Sequence, residues 1–275
     1  MGREGSPGRL ALILVISVLS AVWARGQDIR PLTTDSPNTT PPGTMEFQFG
    51  EDYIHHFRSI RNGAYGVLWQ DAHLGFAWGV SDRVELRVDG AAYKRFQRDS
   101  GGTNAGVGDF TVWGKFVVWQ GAEPETAFGF RLGVKLPNTP SYKDFGTNQT
   151  DFFAQLLAGK RWGRFRLWGN AGVGILDNPY IRQSQDDVYT LGLAFAAKAS
   201  ERFDVVGEGT ALLSNGKPQL YGNNYAFRLG LLFHPSPKWA VDVAAAKSSG
   251  RLYGQWSATL GLTYRFGKGR GAARG

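Results

Sequence analysis

From Met45 onward the chain alternates apolar and polar residues at every second position, in one run after another. The last run, "WSATLGLTYRF" over 256–266, shows the rule. Trp256, Ala258, Leu260, Leu262, Tyr264 and Phe266 share one face, and Ser257, Thr259, Gly261, Thr263 and Arg265 share the other. A period of two belongs to a strand with one apolar side. Twelve runs carry it, at roughly 44–56, 67–80, 83–95, 109–119, 126–136, 150–160, 164–176, 188–199, 202–213, 224–234, 238–247 and 255–266. No segment of useful length has a helical period, so the predicted class is all-β.

The joints between runs sort into two kinds. "SD", "RWG", "SE" and "PSP" are tight, and "QGAEPE" is slightly longer; the others, from "FRSIRNGAYG" to "SSGRLYG", are long and polar. The two kinds alternate, which gathers the long loops at one end. An even strand number with that arrangement predicts a transmembrane, up-and-down antiparallel β-barrel of about twelve strands, with periplasmic termini.

Aromatic residues test the reading independently. Phe110, Phe152, Tyr189, Tyr225 and Trp256 fall near the long-loop end of the apolar face, and Trp78, Phe128, Phe165, Phe203, Phe233, Trp239 and Phe266 near the other. Two belts separated by smaller aliphatics match strands of ~9–11 residues crossing a bilayer at a tilt.

The opposite face is polar and mixed in sign. Glu85, Arg87, Asp89, Asp109, Lys115, Arg131, Lys135, Asp151, Gln155, Arg166, Asn170, Glu208, Arg228 and Asp242 are expected to line the lumen, cations facing carboxylates across it. Asp71 and His73 are expected to share that face. Those charges read either as a salt-bridged filling or as the lining of a solute path. A soluble closed cylinder of twelve strands would be too wide for side chains to fill. A soluble periplasmic two-sheet β-sandwich avoids that problem and stands as the alternative fold.

Composition sharpens the ends of the chain. The one continuous apolar run, Leu10 to Leu19, follows Arg3 and Arg9 and precedes small residues, the layout of a cleaved signal peptide over 1–26. Residues 27–43, rich in Pro, Thr, Asp and Asn, read as an irregular periplasmic segment before a barrel at 44–266. Residues 267–275 form a basic tail with no assignable role. A chain with no cysteine has neither disulfides nor a lipidated Cys. A mean hydropathy of −0.27 excludes a helical membrane bundle. Most of the formal +8 charge sits in the leader and the tail, so no nucleic-acid footprint is read.

Candidate chemistry is sparse. His55, His56, His73 and His234 have no companions at metal-ligand spacing, so no metal site is expected. No catalytic residues and no cofactor are assigned, and the chain is not read as an enzyme. "GVGDF" at 106–110 and "NAGVG" at 170–174 open no helix, so neither reads as a phosphate loop.

"RPLTTDSPNTT" (30–40), "GVGDFTVWGKF" (106–116), "GVKLPNTP" (133–140) and "TDFFAQLLAGKRWG" (150–163) resemble, in that order, the outer-membrane proteins grouped under the meta-pathway of phenol degradation. Ser36 and Asn38 stand where the family pattern carries charged residues. The resemblance implies an outer-membrane, transporter-like barrel for small molecules, aromatic or hydrophobic ones included. The expected function is a passive channel, with a non-conducting structural or surface-interaction barrel as the alternative. The expected partners are outer-membrane lipid, the barrel-assembly machinery, which the aromatic end of 256–266 would address, and an unidentified small solute.

Overall fold

The computed structural model describes residues 30–122, 126–140, 142–178, 180, 184–215, 221–250, 252 and 254–267. The expected signal peptide and the tail beyond Gly267 lie outside the described residues. Alternation becomes strands throughout: β1 (Met45–Arg58), β2 (Tyr65–Ser81), β3 (Val84–Arg98), β4 (Thr103–Gly106), β5 (Phe110–Gln120), β6 (Ala127–Leu136), β7 (Asp151–Trp162), β8 (Phe165–Asp177), β9 (Gln185–Lys198), β10 (Phe203–Ser214), β11 (Asn224–Ser236), β12 (Trp239–Ser249) and β13 (Trp256–Phe266).

Apart from β4 and β5, neighbours in sequence pair antiparallel; β5 pairs β3, and β1 pairs both β2 and β13, so the sheet closes on itself. Twelve strands make the wall. The thirteenth, β4, pairs only with the loop-end half of β3, from Lys94↔Gly106 to Gln97↔Thr103. Its four residues in a glycine-rich connection are too short for periodicity to register, which is why the sequence reading places a loop there.

Closure is set by an eleven-residue register between β1 and β13, from Met45↔Phe266 to His55↔Trp256. Arg265 Nε donates to Glu46 Oε1 at 2.9 Å across this seam, both side chains buried. A closed barrel leaves no unpaired sheet edge, which lipid could not solvate.

Burial decides which face meets lipid. Leu193 is 58% exposed, whereas Glu85 is 1% exposed. That is the inverse of a soluble sandwich, in which leucines fill the core and carboxylates meet water. Phe152, Tyr189, Tyr225 and Trp256 are exposed at one rim, and Trp78, Phe128, Phe165, Phe203, Trp239 and Phe266 at the other. Cross-strand contacts fix the lower belt, with ring centroids 4.7 Å apart for Phe203 and Phe233 and 4.5 Å for Trp239 and Tyr264. The molecule is a twelve-strand barrel of the outer-membrane type, with an apolar band for lipid.

Candidate functional site: the lumen and its inner strap

The segment at 30–43 is irregular, as expected, but its expected periplasmic position is corrected: it lies inside the barrel. Working back from the start of β1, Gly43 N donates to Gly79 O and Thr40 N donates to Glu85 Oε2, on β2 and β3. Lys115 Nζ on β5 donates to Asn38 O, and Asp35 lies between β5, β6 and β8. Thr33 and Thr34 reach Glu208 on β10, Arg228 on β11 donates to Pro31 O, and Arg30 reaches Asp242, Asp52 and Thr259 on β12, β1 and β13. The segment therefore touches wall strands in their order around the barrel. It is a strap laid along the inner wall, and it makes nearly a full circuit.

The physical reason is twofold. Buried carboxylates and cations on the inner face need partners, and an irregular chain has free N–H and C=O groups to offer them. The wall also leaves room. A Cβ at Gly192 would sit 2.6 Å from Thr34 Oγ1, and one at Gly79 would collide with the carbonyls of Thr40 and Pro41.

Two carboxylates anchor the strap. Asp35, from the strap itself, takes Lys115 Nζ at 3.0 Å and Arg131 Nη1 at 3.0 Å. Its backbone N–H donates to Asn170 Oδ1 at 2.7 Å, and Asn170 Nδ2 donates to its C=O at 2.6 Å. Burial acts to raise the Asp35 carboxyl, but Lys115 and Arg131 outweigh it and hold it below the ordinary 3.8. Glu208, from the wall, accepts Thr33 N at 2.9 Å, Thr34 N at 2.7 Å, Thr33 Oγ1 at 3.0 Å and Arg228 Nη1 at 3.1 Å. Trp168 Nε1 donates to Thr34 O at 2.9 Å between the two anchors.

The fourteen expected lining residues divide by what they touch. Glu85, Lys115, Arg131, Asn170, Glu208, Arg228 and Asp242 contact the strap. Arg87 pairs with Glu85 at 3.4 Å, and Asp89 bonds to the Trp113 side chain, over which Arg131 also lies at 4.2 Å. Gln155 accepts Arg131 Nε at 2.7 Å and donates to Thr190 at 2.8 Å. Lys135 bridges Asp151 at 2.5 Å and Asp109 at 3.7 Å, while Arg166 pairs with Asp204 at 3.5 Å.

These wall-to-wall pairs run within a strand or between near neighbours, not across the lumen as expected. Adjacent strands are ~4.8 Å apart, within side-chain reach, and the opposite wall of a twelve-strand barrel is not. Asp71 and His73 also part company. Register slips around Ala72 between β2 and β3, and Asp71 pairs with Arg95 at 3.4 Å while His73 faces Asp52 at 3.8 Å. A bulge shifts the alternation by one and sends the two side chains apart.

Asp35 and Asp52 complete the site without having been singled out in the sequence, whereas Asp204, which the alternation puts on the polar face, is the partner of Arg166. Asp35 stands in the motif "TTDSPN", whose resemblance to a family pattern was visible but whose location was not. Among the described residues no three His, Asp or Glu side chains gather at metal-binding distance.

At the long-loop mouth, connections fold inward. Asp144 accepts Arg98 Nη2 at 2.6 Å, Arg98 Nε at 2.8 Å and Asn62 Nδ2 at 2.8 Å, which seats Phe145 against Phe57, Leu68 and Phe96. Leu176, Val188, Leu212 and Tyr221 form a second cluster. Burial, with Asp151, Asp186 and Asp177 nearby, pushes the Tyr221 phenol far up, so it stays a neutral donor to Asp177 O. Solvent still reaches the strap from within: Thr33 is exposed, and the side chains of Arg228, Asp52 and His73 are 20%, 19% and 23% exposed.

No protein-family model and no curated protein matches the chain. Among solved structures, it is similar to an outer membrane channel from Pseudomonas putida F1, with a TM-score of 0.62 at 12% identity over 86% of this chain and 100% of that one. It is also similar to the NanC porin, with a TM-score of 0.52 at 12% identity over 80% of this chain and 98% of that one, and to the KdgM porin, at 0.51 and 10% over 80% and 99%. At such identities the likeness is one of fold, and that fold is the outer-membrane β-barrel.

Proposed function

We propose that the protein is a passive outer-membrane channel for small molecules, its bore set by the strap and not by the wall alone. The observation that carries this reading is the strap's course along the wall, with exposed Thr33 and part-exposed Arg228, Asp52 and His73 bordering the space it encircles. Charged and amide side chains around that space suit diffusion of a hydrated solute. No reaction is assigned to the site. The resemblance of 30–40, 106–116, 133–140 and 150–163 to the phenol meta-pathway family supports small aromatic compounds as the solute class. The porin and channel folds of the structural neighbours support the passive-channel reading.

Planar-bilayer recording tests it. The folded protein is expected to give small, discrete conductances, and a variant lacking 30–40 larger ones. A folded barrel that neither conducts nor takes up small aromatic solutes in liposomes, with or without the strap, would instead be a surface-display barrel.

A further inference from the structure

At the long-loop end of the outer wall, the tops of β1, β2 and β12 and the start of β13 enclose a cleft of about 610 Å³. His56, Arg58, Tyr65, Lys247, Ser249 and Gln255 line it, and among the described residues no carboxylate does. Register puts the cleft on the lipid side. Lys247 is the cross-strand partner of Trp256, and Ser249 of Tyr225, both exposed members of the upper aromatic belt.

The backbone is bent to furnish this face. Register slips between Ile54 and Phe57, and His56 takes φ 55°, a left-handed conformation that bulky side chains rarely adopt. Both histidines then face outward. His55 stacks on Trp256 with centroids 5.3 Å apart, and His56 stacks on Tyr65 at 4.5 Å. The Arg58 guanidinium lies 5.9 Å from the Tyr65 ring centre. A locally costly conformation that gathers polar groups at one spot points to a function there.

Just beyond an aromatic belt, a barrel wall meets lipid headgroups. An arginine and a lysine with no carboxylate between them suit a phosphate, to which charge-assisted hydrogen bonds are strong. Tyr65 and Trp256 offer amphipathic rings for the part of the ligand between headgroup and acyl chain. Asp71 and Asp99, carboxylates toward the loop end of the neighbouring β2 and β3, are not in the lining, and Asp71 is engaged by Arg95. We propose that this cleft binds a phosphate group of a glycolipid in the outer leaflet.

The test uses the full-length chain expressed into the outer membrane, purified in detergent and titrated with lipopolysaccharide, with the same lipid after enzymatic removal of its phosphates, and with inorganic phosphate. Intact lipid is expected to bind. The R58Q/K247Q variant and the dephosphorylated lipid are each expected to bind at least tenfold more weakly, R58K/K247R to restore binding, and K238Q at the opposite end to change nothing. Unchanged binding by a folded R58Q/K247Q barrel, or by dephosphorylated lipid, overturns the proposal. If the double variant fails to fold, R58Q and K247Q singly carry the same test. Displacement of the lipid by equimolar inorganic phosphate would mark a free-anion site and would also overturn the lipid assignment.

Discussion

Asp35 holds two cations at once, Lys115 and Arg131, in a place water barely reaches. Removing its charge leaves Arg131 short of a counter-charge and Lys115 with Glu85 alone, at 3.1 Å, and breaking a buried pair this way costs about 3–5 kcal/mol. Asp35→Asn is therefore expected to release the strap without unfolding the barrel, seen as larger conductance and new protease sensitivity within 30–43. The pH dependence has a definite sign. A carboxyl held below 3.8 stabilises the closed strap fully above pH 3.8 and loses that contribution as pH falls through its lower folded value. Conductance should be flat from neutral pH to about 4 and rise only in stronger acid, and Asp35→Asn should abolish that rise.

At the scale of the element, the strap has no repeating hydrogen bonds of its own and borrows its shape from the wall. Trp168, Asn170 and Glu208 hold its backbone, and Gly192 and Gly79 make space for it. Gly192→Val is expected to displace Thr34 and weaken the Glu208 anchor while leaving the β8–β9–β10 ladder intact. Single-channel recording should then show frequent large openings, with unchanged heat-modified mobility on gels. A wild-type trace would mean that Thr34 is not held where Gly192 allows. The strands themselves were legible to within a few residues because each has one lipid face and one polar face, the condition under which period-two reading works. β4, the slip around Ala72 and the slip between Ile54 and Phe57 were not legible. Bulges and short pairings depend on what the neighbouring strand does, not on the local pattern.

For the whole molecule, the inverted distribution of charge is decisive. Leu193 lies outward in the middle of β9, and Leu193→Arg is expected to cost about 2–4 kcal/mol as a charge placed near the bilayer midplane. Urea titration of the barrel refolded in liposomes measures it. A cost near zero would put that face in water and revive the soluble sandwich.

The sequence by itself determined the class, the strand number of the wall and the two belts. All of these follow from alternation and turn length, which are local properties. Only the tertiary structure decided where residues 30–43 go. A segment rich in Pro, Thr and Asp carries no period to announce a position, and its partners lie as far along the chain as Arg228, Asp242 and Thr259. Its place is set by buried charges that need hydrogen bonds and by gaps that opposite glycines leave. Neither exists until the sheet has closed.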